Sequence, residues 1–293
     1  MKPEIRDSCY QENYVLFLNK CLSYFTILFK YGIIAVLCSL TLTGCDSFEF
    51  SPNQISSQNS PQDLNEKNLV KLKTIPADDT VTIVFAGDSQ RWYSELERFV
   101  TKVNATREVD FVLLAGDISD FGLLKEFEWI NKRLAGLNAP YFAVIGNHDL
   151  TGNGEAVFKK MFGPLDFSFV YDSIKFVAHN TNSLEYDRKN IPDINWLENQ
   201  LNTGPDIKHI VAVSHVPPFS PLEFNARLVK PYTSLLSNTP KMLMSLHGHV
   251  HDHNDFYPFE DHVRYITSFA FAQNSFVLLK IADGKVIKTI IDY

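Results

Sequence analysis

Short apolar segments that each end in a small residue and then a polar one recur through the middle of the chain. They read VTIVFAGD, DFVLLAGD and PYFAVIGN, and each has the length of a buried strand. Between them, apolar residues recur at helical spacing in SELERFVTKVNA and LLKEFEWINKRLAGL. Strands that alternate with helices predict βαβ units and a mostly parallel sheet, so we expect an α/β protein.

The polar residues at the ends of these three segments are Asp88, Asp117 and Asn147. In an open α/β sheet, ligands bind beyond the carboxyl ends of the strands. We therefore expect the three side chains to meet along one edge of the sheet and to form part of a binding site there.

The second half of the chain places histidines at predicted strand ends in the same way. HIVAVSHVPPF predicts a buried strand that leads to His215, and KMLMSLHGHVH predicts another that leads to His249 and His251. Four histidines alternate in SLHGHVHDH, and side chains two residues apart in an extended segment point the same way. This favours a metal site whose other ligands come from elsewhere in the chain. Farther on, SFVLLKIADGKVIKTII predicts a hairpin that turns at Asp283 and Gly284.

Composition excludes some classes of protein. The apolar fraction of 45% is ordinary for a globular core. The formal net charge of −7 argues against nonspecific nucleic-acid binding, which requires a basic face, so no nucleic-acid partner is expected. All cysteines lie at or before Cys45, so no disulfide framework is expected in the globular part.

The N-terminal segment predicts a membrane-targeting signal. Lys30 precedes YGIIAVLCSLTLTGC, an apolar run of the length found in secretory signals, and its ending LTGC resembles the bacterial lipobox. The resemblance implies a lipoprotein signal peptide over residues 1–44 and lipidation of Cys45. The alternative is an uncleaved membrane anchor, although the run is short for crossing a bilayer. We expect a lipid-anchored protein on the extracytoplasmic side of a bacterial cell envelope.

Residues 45–79, which start at the lipidated cysteine, are predicted to form a flexible tether. Ser, Asn, Gln and Pro dominate DSFEFSPNQISSQNSPQDLNEKN, and no apolar period is sustained there. The pattern of strands and helices starts only after this segment. The folded domain is therefore expected to cover residues 80–293.

Five motifs follow one another in the predicted domain: GDSQ, GDISD, GNHD, SHVPP and GHVH. In this order they resemble the calcineurin-like metallophosphoesterase superfamily, whose signature is Asp-x-His, Gly-Asp-x-x-Asp, Gly-Asn-His-Asp/Glu, a lone His and Gly-His-x-His. The resemblance runs from about Val81 to about His253. FGPLDFSFVYDSIKFVAHNTN is also similar to a hairpin that follows the third motif in many members. The resemblance implies a four-layer αββα sandwich with mixed, mostly parallel sheets.

The resemblance also implies a site for two divalent metal ions that share one carboxylate. Asp117 would bridge the two ions. The other ligands would be Asp88, Gln90 and His251 for the first ion, and Asn147, His215 and His249 for the second. This mixture of oxygen and imidazole ligands suits Mn, Fe, Zn or Ni and does not distinguish among them.

The same resemblance implies roles for the residues beside the ligands. A water molecule that bridges the ions would act as hydroxide and attack phosphorus, while His148 would protonate or stabilise the leaving oxygen. Asp149 would orient that imidazole. Asp120 would contact the metal ligands rather than the ions themselves. Of the clustered histidines outside the motif, His247 would be packed near its strand end. His253 would lie on the surface or at the rim of the substrate site.

Gln90 departs from the family pattern, which usually has histidine at this position. A glutamine amide offers a neutral oxygen in place of an imidazole nitrogen, so we expect it to hold the first ion less tightly. Because Asp-x-Gln also occurs in branches that resemble active phosphatases, the substitution does not predict an inactive site.

These features predict a membrane-tethered, metal-dependent phosphoesterase that acts on phosphomonoesters or phosphodiesters of small molecules or envelope components. One alternative is a lipoprotein that binds a phosphoryl ligand without catalysis, and another is a protein serine/threonine phosphatase. A purely binding protein has no need of a catalytic histidine, so His148 favours an enzyme. Arg91, Trp92, Arg188 and Arg227 are candidates for the substrate rim, or ordinary surface side chains.

Overall fold

The computed structural model describes residues 6–42, 51–76, 78–187 and 189–293, and the chain divides into two units. The first unit, Met1–Ser51, contains helix α1 (Arg6–Leu42). Among the helices of the described ranges, none combines the length and the apolarity needed to cross a membrane. Cys45 lies outside the described residues, so its lipidation stays a prediction.

The second unit, Pro52–Tyr293, contains two β-sheets and the other described helices. In chain order its strands are β1 (Val81–Ala86), β2 (Phe111–Leu114), β3 (Tyr141–Ala143), β4 (Phe167–Tyr171), β5 (Ile174–Ala178), β6 (His209–Val213), β7 (Met242–His247), β8 (Asp255–Phe256), β9 (Arg264–Thr267), β10 (Ser275–Ala282) and β11 (Lys285–Asp292). Its α-helices are α2 (Leu64–Leu72), α3 (Tyr93–Ala105), α4 (Leu124–Leu134), α5 (Gly154–Met161), α6 (Ile194–Leu201) and α7 (Val229–Ser237).

Both sheets mix parallel and antiparallel neighbours. The first has the spatial order β11-β10-β1-β2-β3, and β1, β2 and β3 are parallel. The second has the order β4-β5-β6-β7-β9-β8, and β5, β6, β7 and β9 are parallel. Helices α3, α4, α6 and α7 connect successive parallel strands, which cannot be joined by a tight turn. The predicted α/β class with mixed, mostly parallel sheets is confirmed.

Alternating side chains on the central strands produce the layers of the fold, because successive residues of a strand point to opposite faces. Phe85 on β1 and Leu246 on β7 belong to one buried cluster, which joins the two sheets face to face. Val84 on β1 instead clusters with Phe127 on α4 and other helical residues. A third cluster packs α6 and α7 on the second sheet, with Tyr232 fully buried. The predicted helix–sheet–sheet–helix sandwich is confirmed.

Two hairpins occur where the sequence predicts them. β10 pairs with β11 through Asp283 and Gly284, whose φ angles are 47° and 73°. β4 pairs with β5 through Asp172 and Ser173, with φ angles of 44° and 58°. Positive φ at both central residues is the geometry of two-residue turns that match the twist of the flanking strands. Both hairpin predictions are therefore confirmed.

The structure corrects the prediction of a flexible tether up to residue 79. Helix α2 packs against the edge strand β3, and Leu72 is fully buried in the cluster between the sheets. The Asn65 side chain donates to the Ala143 carbonyl at 3.0 Å and accepts from the Ala143 amide at 3.0 Å. The compact unit therefore begins at Pro52. The sequence concealed this because α2 is short and most of its residues are polar.

Candidate active site

The candidate metal ligands all lie just after the carboxyl ends of parallel strands, and both sheets contribute. Asp88 and Gln90 follow β1, Asp117 follows β2, Asn147 follows β3, His215 follows β6, and His249 and His251 follow β7. This is the edge at which α/β sheets bind ligands. The structure brings all seven together through the contacts described below.

An unusual backbone conformation aims several of these side chains. Left-handed φ angles occur at Asp88 (56°), Gln90 (28°), Asp117 (52°), His249 (70°) and His251 (61°). Residues with a side chain rarely adopt such angles, which persist only where the surrounding structure imposes them and which concentrate at functional sites. Because five such residues lie at one edge of the sheets, this edge is a candidate functional site.

Two motif glycines are required because the loops that carry the ligands touch one another. A Cβ atom on Gly146 would lie 2.1 Å from the Asp117 amide nitrogen, and one on Gly248 would lie 2.4 Å from the Ala115 carbonyl oxygen. Neither contact is possible without a backbone shift, so only glycine fits. The glycines of GNHD and GHVH therefore let two loops approach Asp117 and its neighbours.

The first group of candidate ligands surrounds two fully buried carboxylates. Ligand atoms of Asp88, Asp117 and His251 all lie within 4.8 Å of one another, and His251 Nε2 is 3.4 Å from Asp88 Oδ1. The Gln90 amide nitrogen donates to Asp117 Oδ2 at 2.9 Å. Rotating this amide group by half a turn would exchange the positions of its nitrogen and its oxygen. The oxygen, which is the atom that can bind a metal ion, would then lie where the nitrogen lies now.

The second group is centred on Asn147. Its Oδ1 lies 2.9 Å from His215 Nε2 and 3.1 Å from His249 Nδ1. His215 Nε2 is also 3.3 Å from Asp117 Oδ1. The two oxygens of Asp117 thus face different groups, Oδ2 towards Gln90 and Oδ1 towards His215.

The pKa values of Asp117 and His215, at the centre of the site, depend on each other. Burial by itself would raise the pKa of Asp117, but the positive charge of His215 and hydrogen bonds lower that pKa to about 2. Burial by itself would lower the pKa of His215, yet the Asp117 carboxylate raises it to about 10. The buried carboxylates therefore attract positive charge, and a divalent cation would supply it in place of the proton on His215. Carboxylate, amide and imidazole donors together fit such ions.

His148 lies beside this centre with its ring partly exposed. Its backbone amide donates to Asp117 Oδ1 at 3.0 Å, which fixes the residue next to the predicted bridging carboxylate. Its ring Nδ1 is 2.9 Å from the Asp120 carbonyl oxygen and 3.6 Å from Asp120 Oδ1. Arg91 forms an ion pair with Asp120 at 2.7 Å. Asp120 therefore orients the His148 ring.

The orienting role predicted for Asp149 is wrong, because its carboxylate is bonded elsewhere. Asp149 is fully buried and accepts hydrogen bonds from the backbone amides of Ile118, Ser119 and Gly146 and from the Ser119 hydroxyl, at 2.7–3.1 Å. Burial and the nearby charge of Asp117 raise the pKa of this carboxyl. Through these hydrogen bonds Asp149 links the loops after β2 and β3 and so stabilises the site.

The two other histidines of the cluster have structural partners. His247 is fully buried, with its ring nitrogens 3.0 Å from Ser214 Oγ and 2.8 Å from Ser245 Oγ. It is a packed residue, as expected. His253 Nδ1 lies 2.7 Å from the Thr267 carbonyl oxygen and its Nε2 2.9 Å from Lys288 Nζ. Neither ring contacts the candidate ligands in these hydrogen bonds.

Sequence reasoning missed Glu223, which lies in the segment between β6 and α7. Its Oε2 is 3.8 Å from His249 Nε2. No motif pointed to this residue, because the segment has no regular period and its course depends on the fold. Of the candidate rim residues, Arg91 is committed to Asp120 and Trp92 packs against the core, while Arg188 lies outside the described residues.

The fold and the site agree with those of a known protein family. The sequence profile of the family described as calcineurin-like phosphoesterase matches residues 81–253, more than half of the chain. The chain belongs to this family, and the superfamily indicated by the five motifs is confirmed.

Two curated relatives are similar at low identity. One, from Arcobacter nitrofigilis, is named "Probable glycerophosphodiester phosphodiesterase GpdQ". It is 27% identical over 125 residues, which cover 39% of this chain and 44% of the relative. The chain thus matches less than half the length of that protein. The other, a 3',5'-cyclic-nucleotide phosphodiesterase from Nostoc sp., is 24% identical over 204 residues, covering 64% of this chain and 74% of the relative.

Solved structures share the fold at lower identity. A dimetal phosphatase from Danio rerio superposes with a TM-score of 0.55 at 14% identity, covering 73% of this chain and 99% of that one. A purple acid phosphatase from yellow lupin seeds gives 0.53 at 13% identity, covering 74% and 55%. At these identities the likeness shows the fold alone.

Proposed function

We propose that the protein is a phosphodiesterase that uses two divalent metal ions held by the seven ligands at the strand ends. The observation that carries the proposal is the position of Asp117. Its Oδ2 contacts Gln90 at 2.9 Å, and its Oδ1 lies 3.3 Å from His215. One buried carboxylate thus faces two separate groups of donors, which is the arrangement that a pair of ions sharing one ligand requires.

The surrounding residues support hydrolysis in addition to binding. When bound, the ions would act as Lewis acids on the phosphoryl group and lower the pKa of water. The Asp120 carbonyl holds Nδ1 of His148 at 2.9 Å, which leaves Nε2 to give a proton to the leaving oxygen. The Asp120 carboxylate places negative charge beside this ring. A protein that only bound a phosphoryl ligand would need no such group.

Small-molecule phosphodiesters are the proposed substrates. Both curated relatives carry names of phosphodiesterases, one for glycerophosphodiesters and one for cyclic nucleotides. The two names differ in the alcohol on the phosphate, so glycerophosphodiesters and cyclic nucleotides are both candidate substrates. Phosphomonoesters serve as the comparison.

The test is to remove bound metal with a chelator and to reload the protein with Mn²⁺, Fe²⁺, Zn²⁺ or Ni²⁺ singly. We expect turnover of bis(p-nitrophenyl) phosphate to return with two ions per chain, and turnover of p-nitrophenyl phosphate to be slower. Asp117→Asn should lose both ions and nearly all turnover, because one neutral amide cannot balance two divalent cations.

The exposed Asp206→Asn is the matched control for this substitution and should behave like the wild type. Two ions per chain in Asp117→Asn, measured by elemental analysis, would contradict the bridging role. A reloaded wild type that hydrolyses neither ester would contradict the proposed activity.

We also propose that a lipid on Cys45 tethers the protein to the cell envelope, on the extracytoplasmic side. The support is the LTGC ending of the apolar N-terminal run. Cys45→Ser should release the protein from membranes, because the lipid is its only proposed anchor. A variant that stays in the membrane fraction and resists carbonate extraction would indicate a spanning N-terminal helix.

A further inference from the structure

The two ring nitrogens of His249 face different partners. Nδ1 lies 3.1 Å from Asn147 Oδ1, inside the second group of candidate ligands. Nε2 points to the opposite side, where Glu223 Oε2 is 3.8 Å away. His215 shows the same division, since its Nε2 faces Asn147 while its Nδ1 lies 2.6 Å from the Ala115 carbonyl oxygen.

We infer that Glu223 is a positioning residue for the second metal ion, acting through His249. The inference rests on the proposed function, in which His249 Nδ1 binds that ion. A histidine that binds a metal through one nitrogen usually donates its other N–H to a carboxylate or carbonyl, which fixes the ring orientation and the tautomer and raises the basicity of the ligand. The Ala115 carbonyl accepts such a bond from His215 at 2.6 Å, and the Glu223 carboxylate is the charged group that faces Nε2 of His249, at an ion-pair distance of 3.8 Å.

The difference in negative charge between the two ligand groups also favours a carboxylate at the position of Glu223. The first ion would have the carboxylate of Asp88 in addition to a share of Asp117. The second would have only its share of Asp117, because Asn147, His215 and His249 are neutral ligands. A carboxylate behind His249 supplies negative charge on the side of the site that has less of it.

Glu223 is held in place by hydrogen bonds at both ends. The Ser220 hydroxyl donates to its Oε2 at 3.0 Å, and the buried Ser183 hydroxyl donates to its backbone carbonyl at 2.8 Å. Ser183 belongs to the segment after β5, and Glu223 to the segment after β6. Two adjacent strand-end segments therefore fix the carboxylate, so that it meets His249 at a defined position.

The experiment measures metal affinity directly. Metal-free wild type and Glu223→Gln are titrated with Mn²⁺ alone by calorimetry, and bound metal is counted after gel filtration. We expect wild type to bind two ions. We expect Glu223→Gln to bind one with unchanged affinity and the other about ten- to a hundredfold more weakly, the usual effect of losing such a partner. Thermal unfolding of the metal-free proteins checks that the variant is folded.

Glu185→Gln is the matched control, because that carboxyl also interacts electrostatically with His215 and Asp117. It should lower the affinity less than Glu223→Gln does. Equal losses would mean that general negative charge matters and would overturn the positioning role. Unchanged affinities in Glu223→Gln with a raised KM would make Glu223 a substrate-facing residue and would also overturn it. A wild type that binds fewer than two ions would contradict the proposed function itself.

Discussion

At the scale of single residues, the candidate ligands are held by a backbone that is locally strained. The left-handed φ angles at five of the seven candidate ligands each destabilise the fold by about 1 kcal/mol or more. Hydrogen bonds between the strand-end loops maintain them, since the Asp88 amide donates to Gly116 O at 3.0 Å and the Gln90 amide to Asp117 O at 2.9 Å. Bound ions would offset part of this loss, because a ligand of the folded state stabilises it.

His148→Ala should keep the metal ions and lose activity to a degree that depends on the leaving group. If His148 protonates the leaving oxygen, its removal should slow turnover of an alkyl ester by roughly a hundred- to ten-thousandfold. A p-nitrophenolate departs readily as an anion and needs little protonation, so its esters should lose less. The measurement is kcat/KM for both ester types in wild type and variant, with metal content determined alongside.

The exposed His262→Ala provides the matched control and should leave both esters unaffected. Equal losses on the two ester types would rule out the acid role and leave His148 as a charge stabiliser. Loss of one ion would instead place His148 among the ligands.

The residue types of the site were predictable from the sequence, but their contacts were not. Their positions at the ends of predicted strands indicated that Asp88, Asp117 and Asn147 converge, because ligands of an α/β sheet bind at one edge. Asp149 was predicted to orient its chain neighbour His148, yet the short 3₁₀ turn His148–Leu150 sends successive side chains in different directions. Glu223 has no signal in its own segment. Side-chain partners across loops depend on tertiary packing, which spacing alone does not encode.

At the scale of elements, an ion cluster joins the short strand β8 to strands of both sheets. Asp255 on β8 accepts hydrogen bonds from Arg264 on β9, at 2.7 Å to each oxygen, and forms an ion pair with Lys288 on β11 at 2.6 Å. Strand β8 has only two residues, so its ladder contributes little. The cluster therefore holds this corner of the sandwich together.

Asp255→Asn should destabilise the folded unit by about 1–2 kcal/mol at neutral pH, because hydrogen bonds to charged groups are lost. Hydrogen bonds from Arg264 lower the pKa of Asp255 to about 2, below its ordinary value near 3.8. The stabilisation is thus fully present above about pH 4 and is lost as the pH falls through about 2. Urea unfolding from pH 7 to pH 2 should show the difference between wild type and variant shrinking, whereas Asp206→Asn should show none. A difference that does not vary with pH would point to altered packing rather than lost charge.

Elements with a strong apolar period were predictable, and those without it were not. β1, β2, β3, α3, α4 and the β10–β11 hairpin were all indicated by periodicity or turn residues. Strand β8 is too short to show a period, and α2 could not be recognised because its contact with the core depends mainly on Leu72 and Asn65. Short elements are specified by the partner that they pack against, and that partner is distant in the chain.

At the scale of the whole unit, the site depends on the relative position of two sheets. Asp88, Asp117 and Asn147 come from the first sheet, and His215, His249 and His251 from the second. The cluster between the sheets fixes this relation, and Leu72 from α2 is part of it. Asn65 pairs with both backbone groups of Ala143 on the edge strand β3, as a neighbouring strand would. The segment before residue 80 is thus tied to the strand that leads to Asn147.

We therefore expect a chain that starts at Pro52 to fold and bind metal like the chain that starts at Met1, and a chain that starts at Thr80 to be impaired. The shorter chain loses the burial of Leu72 and two hydrogen bonds of Asn65, which together are worth about 3–5 kcal/mol. It should also bind the second ion more weakly, because β3 loses its edge partner just before Asn147. Urea unfolding and Mn²⁺ titration of both chains measure the two effects, and Asn65→Ala in the longer chain isolates the contribution of the edge contact. Equal stability of the two chains would show that α2 is dispensable and would restore the domain boundary near residue 80.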